Sequence, residues 1–300
     1  MVSSFRGIPI SRHFRLQYKA AKYRWTRPYH PVSLFALHET RKKRWHALVA
    51  LHGIEEELFP EFSKLSGRKV GEAAGVASPR LLDGPIGVTD LRLDEYGDDF
   101  VIKPNWGTSS RGVLVLHRES DSVFFSVIDG IRLGIDEVHS RLLRDIQRSG
   151  RGSTDDLVVE ESMSVGGIPT QEWKVSTFYG QVGLIQQFER SEKGLLTKTY
   201  SPEWVDLGEV YRRRKVTQTL VPPAAPEKLM EAAIAISLQV PTGFLRVDLY
   251  ETPDGGVVLG ELCLIPGGDR YFRGGLDKKL GRMWEDANVR LLSDGKTLIP

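Results

Sequence analysis

The sequence contains only one cysteine, Cys263, among its 300 residues. A lone cysteine cannot form an internal disulfide, and it cannot supply a cysteine-based zinc cluster. No apolar run is long enough to cross a membrane. The N-terminus also lacks the pattern of a signal peptide, because Arg6, Arg12 and Arg15 interrupt any apolar stretch. We therefore expect a cytoplasmic protein.

Several catalytic motifs are missing as well. The seven histidines form no HExxH pair, no GxSxG elbow marks a serine nucleophile, and Cys263 has no evident base. The phosphate-binding order GxxxxGK[ST] is also absent. These absences argue against HExxH zinc proteases, nucleophilic hydrolases and Walker-type nucleotidases.

The overall composition, 40% hydrophobic and 27% charged, is typical of a soluble globular enzyme. The net charge of +2 conceals an uneven distribution. Residues 1–46 carry eleven Lys/Arg and a single acid, Glu39, whereas the remainder carries 30 Lys/Arg and 38 acids. We expect this basic arm to dock on the acidic body of its own chain. Peripheral contact with an anionic surface and binding to nucleic acid are the alternatives, and no specific nucleic acid is expected.

Two apolar segments near the C-terminus, Phe244–Glu251 and Val257–Ile265, flank the turn sequence TPDGG and predict a β-hairpin. Arg246 and Asp248 alternate with aliphatic residues and therefore share one face, while Glu261 lies on the partner strand. Two carboxylates and one guanidinium match the needs of a magnesium–phosphate complex. A buried salt bridge from Arg246 to Asp248 or Glu261 explains the same charges equally well.

A lysine ends the predicted strand Phe100–Pro104 and is followed by the loop NWGTSSRG. The ammonium group of Lys103 can neutralise a polyphosphate, and glycines let backbone N–H groups approach phosphate oxygens. We therefore predict a phosphate-binding flap that contains Gly107, Ser109, Ser110 and Gly112. An ordinary hairpin with an exposed lysine is the alternative.

Three further segments carry candidate ligand-binding groups. The predicted strand Leu157–Glu161, followed by Met163, could form the edge of a purine pocket, with a carboxylate on the ribose hydroxyls. Glu172 and Lys174 share a strand face, so Lys174 could line an anionic site with Arg190. The stretch PGGDRYFRGG could bind a carboxylate or phosphate through Gly267, Gly268, Arg270 and Arg273. The alternatives are a solvated turn, a cross-strand ion pair and a surface loop.

In this order the segments resemble the ATP-grasp superfamily across about residues 64–275. FVIKP is similar to its phosphate-lysine strand, GTSSRG to its mobile flap and VVEES to its adenine hinge. LRVDLY and GELCLIPGG are similar to its arginine and magnesium-carboxylate strands. Together with EWKVSTFYGQVGLIQ, they most resemble the teichuronopeptide-type ATP-grasp group.

The resemblance implies an α+β ATP-grasp fold with three lobes. These are an N-terminal lobe with the basic arm at 1–95, a small flap lobe at 96–165 and a C-terminal lobe with the magnesium site at 166–300. It also implies an ATP-dependent carboxylate–amine ligase that acts through an acylphosphate in specialised-metabolite or cell-envelope biosynthesis. Its substrates would be a small carboxylic acid and an amine, and its cofactors ATP and Mg²⁺. A phosphotransferase and a degenerate nucleotide-binding module are the alternatives.

The resemblance also implies a role for each candidate residue. Lys103 and the flap would hold phosphates, Asp248 and Glu261 would hold magnesium, and Arg246 would stabilise the transferring phosphoryl group. The nucleoside would contact Glu160 or Glu161, Met163 and Glu172, and the acid substrate would contact Lys174, Arg190, Arg270 and Arg273. One position departs from the pattern, since Cys263 stands where many family members place asparagine. A neutral thiol is a poor ligand for a hard cation, so a second magnesium ion is in doubt.

Overall fold

The computed structural model describes residues 32–52, 62–106, 112–149, 154–164, 171–191, 194–211, 215–217, 219–252, 254–264 and 272–296. The basic arm up to residue 31, the flap at 107–111 and the loop at 265–271 lie outside these ranges. The described residues form helices and two six-stranded sheets, which confirms the predicted α+β class.

Two helices precede the first sheet, α1 (Leu34–His52) and α2 (Lys64–Ala73). Helix α2 begins after Ser63, whose hydroxyl accepts a hydrogen bond of 3.0 Å from the backbone N–H of Ser66. Such a cap satisfies one of the free N–H groups in the first helical turn. The cap therefore fixes the start of α2, the helix that carries Lys64 and Arg68.

The first sheet is antiparallel and has the strand order β1-β6-β2-β3-β4-β5. Its strands are β1 (Leu81–Ile86), β2 (Asp99–Pro104), β3 (Leu114–Ser120), β4 (Val123–Ser126), β5 (Ile131–Gly134) and β6 (Leu157–Glu161). Helix α3 (Ile135–Ser149) covers this sheet with Val138, Leu142 and Ile146, which share a core with buried residues of β2, β3 and β6. These three residues recur at the spacing of one helix face, so burial of that face attaches α3 to the sheet.

The second sheet has the order β10-β9-β8-β7-β11-β12, and only the β9–β10 pair among these is parallel. Its strands are β7 (Glu172–Phe178), β8 (Gln181–Ser191), β9 (Gly194–Tyr200), β10 (Lys215–Val216), β11 (Leu245–Glu251) and β12 (Val257–Cys263). Helix α4 (Pro226–Gln239) packs Leu229, Ala233 and Ile236 into a core with Val175 and Val247. The opposite face of the sheet carries the polar side chains of Lys174 and Asp248 together with the apolar side chain of Leu184.

Helix α5 (Gly274–Ser293) packs against α1 and the end of the second sheet. Gly281 allows this approach, because a Cβ atom there would lie only 1.6 Å from the backbone oxygen of Val32. Arg41 of α1 is buried, and its guanidinium donates to Thr242 Oγ1 at 2.6 Å and to Leu264 O at 3.2 Å. It also lies 4.3 Å from the ring centre of Trp284, so Arg41 joins α1, α5 and the ends of the hairpin strands.

The predicted hairpin is confirmed as β11 and β12, and the strands at FVIKP and LVVEE are confirmed as β2 and β6. Residues 189–219 showed little periodicity in the sequence, yet they contain β9 and β10. The lobe boundaries at 95/96 and 165/166 stay predictions, although β1, which lies before the first boundary, pairs with β6 in the first sheet. None of the described helices is long and apolar enough to span a membrane.

Candidate active site

Asp248 lies at the centre of a polar cluster on the second sheet. In the strand register it stands opposite Lys174 of β7 on one side and Glu261 of β12 on the other. Residues that are directly opposite in neighbouring strands project from the same face, so the three side chains lie together. Val247 and Leu249 point the other way, into the core beneath α4. The alternation seen in the sequence therefore separates a charged face from an apolar one.

Asp248 is fully buried and accepts hydrogen bonds from two cations. Arg246 Nε lies 2.6 Å from Oδ1, Arg246 Nη2 lies 2.7 Å from Oδ2, and Lys174 Nζ also lies 2.7 Å from Oδ2. Lys174 forms a second ion pair with Glu172, which in turn accepts a 3.3 Å hydrogen bond from the Tyr250 hydroxyl. The buried salt bridge between Arg246 and Asp248, one of the two alternatives from the sequence, is thus present. Lys174 forms a second salt bridge with the same carboxylate.

The protonation states of this cluster follow from burial and charge. Burial alone would raise the pKa of Asp248, but Arg246 and Lys174 outweigh burial and hold that pKa below its usual value. Burial would lower the pKa of Lys174, but Asp248 and Glu172 raise it. Burial, with Glu172 nearby, raises the pKa of Tyr250 well above its usual value. At neutral pH the cluster therefore contains a carboxylate, an ammonium group and a neutral phenol.

Glu261 is the more accessible of the two predicted magnesium ligands. Its side chain is 33% exposed and forms a salt bridge with Lys64 of α2. Across the described ranges, no group of three or more His, Cys, Asp or Glu side chains converges on a metal position. Magnesium, however, is commonly held by one or two carboxylates together with phosphate oxygens and water. Asp248 and Glu261 fit that pattern, provided that Asp248 shares its oxygens with Arg246 and Lys174.

A second cluster lies at the end of β6 in the first sheet. Glu160 is buried, and its Oε2 lies 2.5 Å from Lys103 Nζ while its Oε1 lies 3.4 Å from Arg68 Nη1. Glu160, which the sequence predicted as a nucleoside contact, therefore forms an ion pair with Lys103, the predicted phosphate-binding lysine. Glu161 is exposed and pairs with Arg80 at 3.2 Å. The predicted contacts of Glu160, Glu161 and the half-buried Met163 with a nucleoside stay predictions.

A narrow cleft lies between Glu160 of the second cluster and Glu261, the cross-strand neighbour of Asp248. Residues of α2, the end of β6 and strand β12 line it, among them Lys64, Arg68, Glu160 and Glu261. Glu160 belongs to the first sheet and Glu261 to the second, so the cleft lies between groups supplied by the two sheets. Its volume of about 10 Å³ has room for about one water molecule, so a phosphorylated ligand would have to lie beside these charged groups and not within the cleft.

Lys64 and Arg68 were not among the site residues that the sequence predicted. They are four residues apart on α2, a spacing that places two side chains on the same helix face. That spacing is the signal that could have found them. Lys64 contacts the predicted metal ligand Glu261, and Arg68 contacts Glu160, so one helix face supplies a cation to each cluster.

The remaining predicted residues divide into two groups. Arg273 is the residue before α5, where it forms a salt bridge with Glu209 on the surface, and Gly112 follows the flap with a positive φ of 72°. A Cβ at Gly112 would lie 3.1 Å from Pro104 Cγ, so a larger residue would press on the end of β2. Outside the described atoms lie Gly107, Ser109, Ser110, the side chain of Arg190, Gly267, Gly268 and Arg270.

Comparison with known proteins identifies the fold. A D-alanine–D-alanine ligase from Bacillus anthracis has 20% identity and a TM-score of 0.50, with 78% of this chain and 69% of that chain covered. A biotin carboxylase–beta-gamma-ATP complex from Campylobacter jejuni has 13% identity and a TM-score of 0.51, with 91% and 57% covered. At these identities the two structures show a shared ATP-grasp fold and no more. No curated protein sequence matches the chain.

A sequence model of the family matches more than half of the chain. It is described as TupA-like ATP-grasp, and the match runs over residues 82–285. This range contains Lys103, Glu160, Lys174, Asp248 and Glu261, but it begins after α2. The resemblance seen in the ordered sequence motifs is thereby confirmed. The chain belongs to the TupA-like ATP-grasp family.

Proposed function

We propose that the protein is an ATP-dependent ligase that joins a carboxylic acid to an amine. The observation that carries this proposal is the buried Asp248, held between Arg246 and Lys174 and placed opposite Glu261. The arrangement keeps an ionised carboxylate and two cations within contact distance in a site shielded from water. Electrostatic groups fixed in this way can stabilise a transferring phosphoryl group without reorganising during the reaction.

The proposed reaction has two steps. A carboxylate oxygen of the acid attacks the γ-phosphorus of ATP, the bond to the β,γ-bridging oxygen breaks, and ADP leaves an acylphosphate behind. The amine nitrogen then attacks the acyl carbon, loses a proton, and displaces inorganic phosphate to form the amide. Water must be kept away from the acylphosphate, because hydrolysis would waste it.

Each cluster has a part in this scheme. Lys103 and Arg68 neutralise the phosphates of ATP, and Arg246 stabilises the charge on the transferring phosphoryl group. Lys174 and Arg190 orient the acid. Asp248 and Glu261 would hold magnesium, which would neutralise part of the negative charge of the phosphates. The nucleoside would lie toward Glu161 and Met163, with Glu172 near the ribose.

The relatives support an amide-forming reaction by analogy. The structurally similar Bacillus anthracis protein is a D-alanine–D-alanine ligase by name. We therefore place the reaction in specialised-metabolite or cell-envelope biosynthesis, with ATP and magnesium ions drawn from the cytoplasm and a small carboxylic acid and amine as substrates. These assignments rest on the fold family, and the site residues above make them testable.

The experiment is a measurement of ADP release with a panel of carboxylic acids, with and without hydroxylamine. Acid-dependent ADP release and a trapped hydroxamate are expected, because hydroxylamine attacks an acylphosphate. A phosphorylated product that survives hydroxylamine would instead identify a phosphotransferase.

A degenerate nucleotide-binding module is the second candidate. Two observations favour it. Cys263 stands where the family resemblance implies an asparagine, and both oxygens of Asp248 are already engaged by Arg246 and Lys174. Binding of Mg·ATP without ADP release in the presence of any acid of the panel would support this candidate over the ligase.

A further inference from the structure

The polar row that contains Asp248 continues across the second sheet beyond Lys174. Gln186 of β8 is directly opposite Lys174, and Thr199 of β9 is directly opposite Gln186. Because opposite residues share a face, Gln186 and Thr199 project on the same side as Asp248 and Glu261. Neighbouring strands are about 4.8 Å apart, so Gln186 stands one strand beyond Lys174, on the side away from the magnesium carboxylates.

Both side chains are buried with a polar atom left unpaired. Gln186 is 6% exposed and Thr199 is 1% exposed. Gln186 Nε2 and Thr199 Oγ1 have no hydrogen-bond partner within the part of the chain that the structure describes. Buried polar groups are normally hydrogen-bonded, and leaving one unpaired is costly. Two such atoms, side by side on the face of the candidate site, therefore point to a ligand that completes them.

The next residue along the strand provides a comparison. Gln187 has the same side chain and similar burial, but it projects from the opposite face of the sheet. Its Nε2 donates a 3.0 Å hydrogen bond to Gln171 Oε1, while its own Oε1 has no hydrogen-bond partner in the described part of the chain. The two neighbouring glutamines thus differ in their amide nitrogens, since that of Gln187 is paired and that of Gln186 is not.

We propose that Gln186 and Thr199 form a subsite for a polar group of the acid substrate, an inference that rests on the proposed ligase function. With the activated carboxylate beside Lys174 and Asp248, the body of the acid would extend over Gln186 and Thr199. An amide N–H needs an acceptor, and a hydroxyl can both donate and accept. The acid therefore carries a hydroxyl group near its carboxylate, and an unsubstituted aliphatic acid is rejected.

The test compares matched pairs of acids as substrates of the full-length protein. The pairs are D-gluconate and hexanoate, D-glycerate and propionate, and L-malate and succinate, which differ in their hydroxyl groups. The double variant Gln186→Met, Thr199→Val removes the polar atoms at nearly constant volume. Gln187→Met is the matched control on the other face of the sheet.

In the parent protein we expect the hydroxylated acid of a pair to release ADP with a kcat/KM at least about tenfold higher than its partner, because a site built to bind a hydroxyl rejects the analogue that lacks it. The double variant should lose this preference, mainly through a higher KM for the hydroxylated acid. Gln187→Met should keep it. A parent protein that turns over both acids of each pair equally would overturn the subsite and leave the ligase proposal standing.

Thermal unfolding of the free proteins tests the subsite without ATP or acid. Since the two polar atoms are unpaired in the free protein, the double variant should melt at the same temperature as the parent or higher. Gln187→Met should melt at a lower temperature, because it breaks a hydrogen bond. If the parent protein releases no ADP with any acid, the ligase proposal is contradicted, and the melting temperatures still test the subsite. A double variant that melts below the parent shows internal partners for the two groups and overturns the subsite.

Discussion

Lys103 and Glu160 form a buried ion pair of 2.5 Å between adjacent strands of the first sheet. Arg68 approaches the other oxygen of the same carboxylate at 3.4 Å. In the free protein two cations thus share one carboxylate. A triphosphate offers them more negative charge and stronger charge-assisted hydrogen bonds, so it can draw both cations away from Glu160.

Replacing Lys103 should weaken ATP binding. Lys103→Ala removes a charge-assisted contact, and such a contact is worth about 1.5–3 kcal/mol, so affinity should fall about tenfold or more. Isothermal titration of Mg·ATP measures the change. Arg132→Ala is a suitable control, because exposed Arg132 pairs with Glu119 at the edge of the first sheet, three strands away from β2. Equal ATP affinity in Lys103→Ala and the parent would contradict the phosphate role.

Asp248→Asn should abolish turnover and also destabilise the protein. The change leaves Arg246 and Lys174 buried beside a neutral amide, and breaking a buried ion pair costs about 3–5 kcal/mol. Denaturant unfolding and ADP release measure the two effects. Adding Lys174→Met to Asp248→Asn should recover part of the stability and none of the activity.

Glu231→Gln, on the exposed side of α4, is the control for this pair of measurements. It should change neither the unfolding free energy nor turnover, because surface substitutions away from a site usually have small effects. Unchanged turnover in Asp248→Asn would rule out its assignment as a magnesium ligand.

Cys263→Asn should lower the magnesium concentration that gives half-maximal ATP turnover. The position lies on β12 two residues after Glu261 and directly opposite Arg246. An amide oxygen is a harder ligand than a thiol and suits magnesium better. Cys263→Ala, which offers no ligand atom, serves as the control, and a magnesium titration of ADP release measures both. Identical titration curves for all three proteins would place this position outside the metal site.

The free energy of unfolding should fall at acidic pH, because protonation of Asp248 removes its ion pairs. Its pKa is lowered in the folded protein, so its contribution is complete above the unfolded value of about 3.9 and is lost as pH falls through the folded value. We expect the unfolding free energy of the parent to drop steeply below about pH 4. Asp248→Asn should show a shallower drop over the same range, and parallel curves would contradict this origin.

Arg41→Met should loosen the junction of α1 with the hairpin strands. The change removes donors to Thr242 and Leu264 in a buried setting, which should lower the unfolding free energy by about 2 kcal/mol. Burial also lowers the pKa of Arg41 to about 10, because burial destabilises the charged guanidinium. The hydrogen bonds to Thr242 and Leu264 must offset this free-energy cost. Arg44→Met, on the exposed side of α1, should have little effect. Equal losses in both variants would show that the Arg41 contacts add nothing.

Local chemistry in the sequence predicted the elements that carry the site. The turn TPDGG and the alternation around Arg246 and Asp248 were enough to predict the hairpin and its charged face. The strands ending near Lys103 and Glu161 were equally evident. Each of these signals lies within a short stretch of chain, where turn residues and periodicity act directly.

The partners across the sheet could not be predicted in the same way. Lys174 meets Asp248 because β7 pairs with β11, although 74 residues separate them, and no local period encodes that pairing. Strand β9 was missed because lysine and threonines follow its two leucines, so its apolar alternation is weak. Arg68 was missed because its partner, Glu160, lies 92 residues away on another element.

Ion pairs within the free protein reduce the net free energy of ligand binding, because a ligand must break them. Arg68, Lys103, Lys174 and Arg246 each face a carboxylate of the chain itself. A ligand that enters must exchange these pairs for its own, so its net binding free energy is the difference between two sets of contacts. A monophosphate can replace few of them, whereas a triphosphate can replace several at once. The ion pairs of the free protein should therefore favour a triphosphate over a monophosphate, independently of any contact with the nucleoside.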